Sequence, residues 1–279
     1  MIHISCHSEN FGIHPPDETF AFIKRLGFDR VDVASRSLIP QGRIIADAKK
    51  EARLMRDLAD RHELVLDELF LGPVELAGQG VSPESAFASE EYHDNFAVIC
   101  AFARDAGFAS VMGAAGMVTK EIGETASFDN AAKTLARMAD IAENAGIMLT
   151  VEPSRNSLLS IPAAALEMAK RVPKLRYTLD LLHYQVNGHP QQESMKLLPY
   201  TGHMHARQAA VGWIKCPYEY GEIDYDALMK RLRGMSWSGT ICMEYWCGEA
   251  EKNTGISAID QNILMRHEIK RLIKKYWGY

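Results

Sequence analysis

Residues 129–153 read DNAAKTLARMADIAENAGIMLTVEP, and the change of pattern inside this stretch sets the fold class. Leu135, Met138, Ile141, Ala142 and Ala145 recur at spacings of three and four, so they share one stripe of a helix predicted over 131–145. Asp129 stands where a capping side chain is wanted. Gly146 then follows the helix, and a glycine there reaches the left-handed conformation that closes a last turn at little steric cost. The apolar run behind it is short and predicts a strand over 147–152. The same junction recurs at Leu26-Gly27-Phe28 and Ala106-Gly107-Phe108. The three glycines are separated by multiples of about forty residues, the size of one strand-plus-helix unit.

Working outward, short apolar or β-branched runs predict seven more strands near 2–6, 29–33, 64–70, 109–113, 175–180, 200–206 and 238–244. Helical spacing covers about Pro16 to Leu26, 46–62, 84–106, 161–171, 224–233 and 257–276. Eight strands alternating with helices predict an α/β fold, a single parallel (β/α)8 TIM barrel spanning 1–279. A doubly wound sheet has fewer strands and opens on a glycine-rich turn. Gly78-Gln79-Gly80 is not such a turn, because it lacks the third glycine and a flanking strand. With 47% hydrophobic and 24% charged residues, a chain of 279 residues can bury one core of that size.

Charge and cysteines narrow the partners. A net charge of -5 provides no basic field for phosphodiester backbones or anionic lipid, so neither nucleic acid nor a membrane surface is expected as a partner. No apolar run approaches the ~18 residues of a membrane-spanning helix, and the start Met-Ile-His-Ile-Ser-Cys-His lacks the pattern of an export signal. Cys6, Cys100, Cys216, Cys242 and Cys247 form no Cys-x-x-Cys pair and are too sparse for a disulfide scaffold. A reducing cytoplasmic location is expected.

Chemistry-bearing residues gather where a barrel places its active site, at the C-terminal ends of the later strands. Thr150-Val151-Glu152-Pro153 ends the fifth, Thr178-Leu179-Asp180-Leu181-Leu182-His183 the sixth, His203-Met204-His205-Ala206-Arg207 the seventh and Met243-Glu244-Tyr245-Trp246 the eighth. Glu152, Asp180, His205 and Glu244 are the candidate metal ligands. Three carboxylates and one imidazole suit one divalent ion, Mn, Mg, Co or Zn. His203 shares a face with His205 and is the alternative nitrogen donor, though His205 sits nearer the rim. His7 ends the first strand and is a candidate pocket residue. Tyr245, Trp246 and Trp213 are candidates for an apolar wall against a sugar face, with core packing as the other reading. Of Asp67 and Glu68 only one can face inward. Tyr276, Trp277 and Tyr279 either cap the barrel or meet a second subunit.

The series Val-Glu-Pro, Asp-Leu-Leu-His, His-Met-His-Ala-Arg, Gly221-Glu222-Ile223-Asp224-Tyr225 and Met-Glu-Tyr resembles the xylose isomerase-like TIM barrel superfamily of sugar isomerases and epimerases. The resemblance runs from about residue 16 to 275 and is most specific in the Asp-x-x-His step. It implies the same four metal ligands, with His183 and Arg207 contacting substrate, a small-molecule carbohydrate, and it implies homo-oligomerisation. Two departures stand out. Ketose 3-epimerases of the group carry a further Glu shortly after the fifth-strand Glu, absent from Pro153-Ser154-Arg155-Asn156-Ser157-Leu158, and their Arg lies further beyond the metal His.

The expected activity is that of an isomerase or epimerase of a sugar or sugar derivative, by proton transfer through a metal-stabilised enediolate. Glu152 or Glu244 removes the proton next to the carbonyl, the other carboxylate or His183 returns it, and Arg207 fixes a substrate hydroxyl or carboxylate. A lyase or dehydratase acting on a keto-sugar, keto-glycoside or inosose is the alternative on the same site, and a non-catalytic carbohydrate-binding barrel is the third.

Overall fold

A computed structural model describes residues 1–12, 15–71, 88–246 and 255–279. Eight parallel strands, β1 (Ile2–His7), β2 (Arg30–Ala34), β3 (Val65–Phe70), β4 (Ser110–Gly113), β5 (Met148–Val151), β6 (Arg176–Asp180), β7 (Thr201–Ala206) and β8 (Gly239–Met243), follow one another around a closed barrel. β8 returns to β1 with Ile2 opposite Gly239 and Cys6 opposite Met243. Every predicted strand is present. Gly27, Gly107 and Gly146 take φ of 81°, 99° and 76°, so all three junctions turn in the left-handed region that glycine enters freely.

Helices Pro16–Arg25, Ala48–Arg61, Glu90–Ala106, Gly123–Ala145, Pro162–Arg171, Tyr225–Gly234 and Ala258–Trp277 surround the strands. Phe20, Ile23, Phe96, Ile99, Phe102, Leu135, Met138, Leu228, Met265 and Ile269 are fully buried between the two layers, which removes their apolar surface from water. Two expectations need correcting. The helix predicted over 131–145 begins at Gly123, where Ser127 Oγ donates to the Gly123 carbonyl and accepts from Thr119 N. Asp129 is therefore inside the helix, paired with Arg171 instead of capping. The helix expected from 84 starts at Glu90, capped by Ser89; residues 84–87 and Gly78-Gln79-Gly80 lie outside the described residues. After β6 the chain forms only Leu182–Val186, Gln191–Ser194 and the 3-10 turn Met195–Tyr200, because Gly188, Pro190 and Pro199 interrupt any longer helix.

The inside of the barrel is polar, unlike the branched apolar filling usual for this architecture. Ser5, Asp32, Glu68, Ser110, Thr150, Thr178 and His203 are all buried there. Glu68 Oε1 accepts hydrogen bonds from Ser110 Oγ at 2.8 Å, Thr150 Oγ1 at 2.7 Å and Thr178 Oγ1 at 2.9 Å. Asp32 accepts from Ser5 Oγ at 2.8 Å and is bonded to His203 Nε2 at 2.7 Å. A buried carboxylate is tolerable only when hydrogen-bonded in this way. Glu68 is thus the inward member of its pair, while Asp67 receives Arg30 Nε at 2.7 Å. At the N-terminal end, Ile2 N donates to Tyr279 Oη at 2.8 Å, so Tyr279 serves as a cap on the first strand.

Candidate metal centre

Glu152 follows β5 directly, Asp180 ends β6, His205 lies in β7 and Glu244 follows β8. Adjacent strand ends bring the four together, each offering one atom within 4.8 Å of the others. His205 Nδ1 lies 2.9 Å from both Glu152 Oε1 and Glu244 Oε2. His203, deeper in the barrel, is turned to Asp32 and faces none of these carboxylates. His205 thus stands with the three rim carboxylates, whereas His203 groups with Asp32, His205 and Cys242 deeper in the barrel, a second cluster of potential metal-binding atoms. His205 Nε2 points into the barrel, 3.9 Å from both Asp32 Oδ2 and Glu68 Oε2. His183, from the helix after β6, brings Nε2 to 3.3 Å from Glu152 Oε2.

Burial by itself would raise these acids, yet His183 and His205 hold the Glu152 carboxyl well below the usual carboxylate range. Arg207 and His205 likewise overcome burial to hold Glu244 at about 2. Asp180 behaves differently: burial outweighs Arg207 and raises it. For His205, burial lowers the imidazole, but the facing Glu244 and Glu152 raise it well above its ordinary value.

The donor set fits a divalent cation on a specific observation. One imidazole nitrogen carries one proton at most and so can donate to only one of the two oxygens 2.9 Å away. That bond goes to Glu152 Oε1. Glu244 Oε2 is buried and receives no well-aligned hydrogen bond, although the cationic Arg207 Nη2 lies 3.1 Å away. In an octahedral ion with bonds of about 2.1 Å, neighbouring donors stand about 3 Å apart, matching these spacings.

The residues assigned to substrate surround this set. His7 Nδ1 accepts from Glu9 N at 3.3 Å, which leaves the proton on a buried Nε2 that has no partner. Its ring stacks on Trp246 at 5.8 Å and meets Phe70 edge-on at 5.2 Å. Trp246 Nε1 donates to Glu244 Oε1 at 2.9 Å, and Lys215 and Arg36 lie over its ring at 4.7 and 5.1 Å. Both His183 nitrogens lack hydrogen-bond partners. The aromatic wall is smaller than expected. Tyr245 is core, its Oη accepting from Gln208 N at 2.6 Å, and Trp213 is exposed and stacked on Tyr220.

Arg207, expected to meet substrate, directs its fork at the ligand carboxylates: Nε donates to Asp180 Oδ2 at 2.7 Å and Nη2 lies 3.1 Å from Glu244 Oε2. The Gly221–Tyr225 motif explains how it is held. Tyr225 Oη accepts from Arg207 N at 3.0 Å and donates to its carbonyl at 2.8 Å, while Asp224 caps the helix carrying Tyr225. Gln208 clasps Ile223 through both backbone groups, at 3.0 and 3.1 Å. A Cβ on Gly221 would fall 2.1 Å from Gln208 Oε1. Gly221→Ala is therefore expected to break this clasp and lower stability by about 1–3 kcal/mol, read as a shifted denaturant midpoint.

The two sides of the rim differ in chemistry. β5 to β8 supply the charged set, whereas Ala34, Phe70 and Met112 form an apolar cluster at the ends of β2, β3 and β4. A cavity of about 290 Å³ joins them, lined by Phe70, Met112, Ala115, Met117, Glu152 and Ser154. A larger cavity, about 480 Å³, opens among the first residues of β1 to β3 and contains none of the four ligands. The inner acids Asp32 and Glu68 were not singled out from sequence as partners of His205. Four described cysteines, Cys6, Cys100, Cys216 and Cys242, are free and buried; Cys247 lies outside the described residues.

A closed parallel barrel whose C-terminal rim gathers three carboxylates and an imidazole is a TIM-barrel protein with a candidate divalent-cation site. More particularly, residues 20–274 match the family described as xylose isomerase-like TIM barrel, and the chain belongs to that family. No curated protein matches its sequence. Among solved structures it is similar to a D-tagatose 3-epimerase-like protein, with a TM-score of 0.77, 16% identity and 99% and 98% of the two chains covered. A xylose isomerase-like TIM barrel protein from Mycobacterium smegmatis in complex with magnesium gives 0.75, 16%, 98% and 97%. A probable 3-DHS dehydratase from Bacillus anthracis gives 0.69, 14%, 96% and 98%. At these identities the likeness is one of fold. No helix of the described residues is long and apolar enough to cross a membrane.

Proposed function

We propose that this chain is a divalent-metal-dependent isomerase or epimerase of a sugar or sugar derivative, with Glu152, Asp180, His205 and Glu244 as its ligands. The observation that carries the reading is the meeting of Glu152 Oε1, His205 Nδ1 and Glu244 Oε2 at 2.9 Å, with Glu244 Oε2 buried and reached by no well-aligned hydrogen bond. A divalent ion held there supplies Lewis acidity toward a carbonyl and its neighbouring hydroxyl. Glu152 and Glu244 are both held ionised, and they reach His205 Nδ1 from β5 and β8, on two sides. One can take a proton from the carbon beside the carbonyl while the other, or His183 next to Glu152, returns one. His7 Nε2 and His183 Nδ1 present unpartnered polar atoms for substrate hydroxyls, and Trp246 presents a ring face.

A lyase or dehydratase acting on a keto-sugar, keto-glycoside or inosose is the second reading. No second Glu follows Glu152 within 153–158, and the cavity beside it has an apolar side of Phe70, Met112, Ala115 and Met117 facing Ser154, Asn156 and Ser157. The apolar side offers few partners to a fully hydroxylated chain and suits a substrate with fewer free hydroxyls along that side. Plasma mass spectrometry on protein purified without chelator, followed by incubation with candidate sugars in D₂O, tests both readings. Near-stoichiometric divalent metal and deuterium uptake beside the carbonyl with the carbon skeleton unchanged is the expected result. Loss of water in the product would select the lyase. Stoichiometric metal with neither exchange nor elimination would leave only a carbohydrate-binding barrel.

A further inference from the structure

Arg207 places a permanent positive charge against the same carboxylates that would hold the metal. Its side chain is buried, with 4% of the residue exposed, and its counter-charges are Asp180 at 2.7 Å and Glu244 at 3.1 Å. The third contact, Nη1 to the Glu244 carbonyl at 3.3 Å, fixes the guanidinium on the ligand strand itself. Because Tyr225 holds the Arg207 backbone through both N–H and carbonyl, the charge cannot easily withdraw. Deprotonation is no escape either, since a guanidinium stays charged at any ordinary pH.

We infer that Arg207 sets the metal affinity of the site, weakening divalent binding and leaving the bound ion a stronger Lewis acid. The inference rests on the ligand set of the proposed function. With neutral His205, the three carboxylates and a divalent ion sum to one negative charge; Arg207 brings the cluster to neutrality. A fixed cation this close repels an incoming ion, and burial leaves that repulsion poorly screened. Asp180 and Glu244 also share their electron density with the guanidinium, so each donates less to the metal. An ion less fully neutralised by its ligands polarises a carbonyl oxygen more strongly.

Titration calorimetry of MnCl₂ and MgCl₂ into chelator-stripped protein provides the test. Arg207→Met keeps the stem and removes the charge, whereas Arg207→Lys keeps the charge and loses the fork. The Met variant is expected to bind both ions at least ~10-fold more tightly, and the Lys variant to stay within about threefold of the parent. Similar tightening for the two ions is the mark of charge, because altered ligand geometry would change their order. Circular dichroism checks folding, and Arg207→Gln replaces the Met variant if that one fails to fold. A parent that binds weakly or not at all beside a Met variant that binds would also support the inference. Unchanged or weaker binding by the neutral variants of a metal-binding parent would overturn it alone, making Arg207 a geometric clamp. Absence of binding in the parent and in every variant would overturn it together with the proposed ligand set.

Discussion

Glu152→Gln is expected to slow proton transfer by a factor on the order of 10³ while the barrel still folds, melting somewhat below the parent temperature. Gln preserves the length and an acceptor for His205, so the loss isolates the negative charge that the proposed role of Glu152 as a base requires. His183 and His205 keep that carboxyl ionised against the effect of burial, and Gln has no such charge to accept a proton. Some stability should be lost as well, because a carboxyl held this low contributes to the fold through His183 at 3.3 Å and His205 at 2.9 Å. The readout is the rate of deuterium exchange into whichever substrate the screen identifies, with metal content measured alongside. A rate within about threefold of the parent would remove Glu152 from the proton path and leave Glu244 and His183 to carry it.

Asp32→Ala should cost about 3–5 kcal/mol and lower the melting temperature by roughly 10 °C. The substitution leaves His203 buried opposite an empty space and takes the acceptor from Ser5 Oγ. Removing Lys174, whose partners Asp140 and Glu143 are exposed, should leave stability nearly unchanged and provides the contrast. Burial alone would raise Asp32 and lower His203; instead each partner's charge dominates, holding Asp32 at about 2 and His203 at about 9. The raised imidazole contributes fully below its ordinary 6.5 and loses its contribution as pH rises through about 9. The lowered carboxyl contributes fully above its ordinary 3.8 and loses its contribution as pH falls through about 2. The gap between parent and variant should thus be level between these two ordinary values and shrink on the alkaline side. A gap that stays constant to pH 10 would mean that packing, and not charge, is what Asp32 provides.

The strands were legible because glycine at a helix end leaves few alternatives for Leu26-Gly27-Phe28, Ala106-Gly107-Phe108 and Ala145-Gly146-Ile147. Glu152, Asp180, His205 and Glu244 could be grouped in advance because a parallel barrel brings the C-terminal ends of its strands to one rim. Other features were hidden for physical reasons. Asp32 and Glu68 sit on strands buried on both faces, where polar and apolar residues follow no clean alternation. Their stability depends on Ser110, Thr150, Thr178 and Ser5, hydroxyls drawn from four other strands. Asp129 looked like a cap because acids favour that position, but Arg171, 42 residues away, supplied a partner that a local pattern does not contain. The direction of the Arg207 fork likewise depends on Asp180 and Glu244 and cannot be read from His-Met-His-Ala-Arg alone.

The contrast between the two sides of the rim bears on how such a protein can diversify. Phe70 and Met112 touch whatever fills the cavity without belonging to the charged set, while Glu152, Asp180, His205 and Glu244 come from the other half of the barrel. Exchanges at Met112, Ala115 or Met117 can therefore alter which molecules fit the cavity while leaving the four candidate ligands in place. Phe70 is where the halves meet, since its ring stacks on His205 at 6.4 Å, so changes there should couple to the charged set more than changes at Met112. Inheritance of the chemistry and replacement of the substrate then become separable events within one chain, each open to selection without loss of the other.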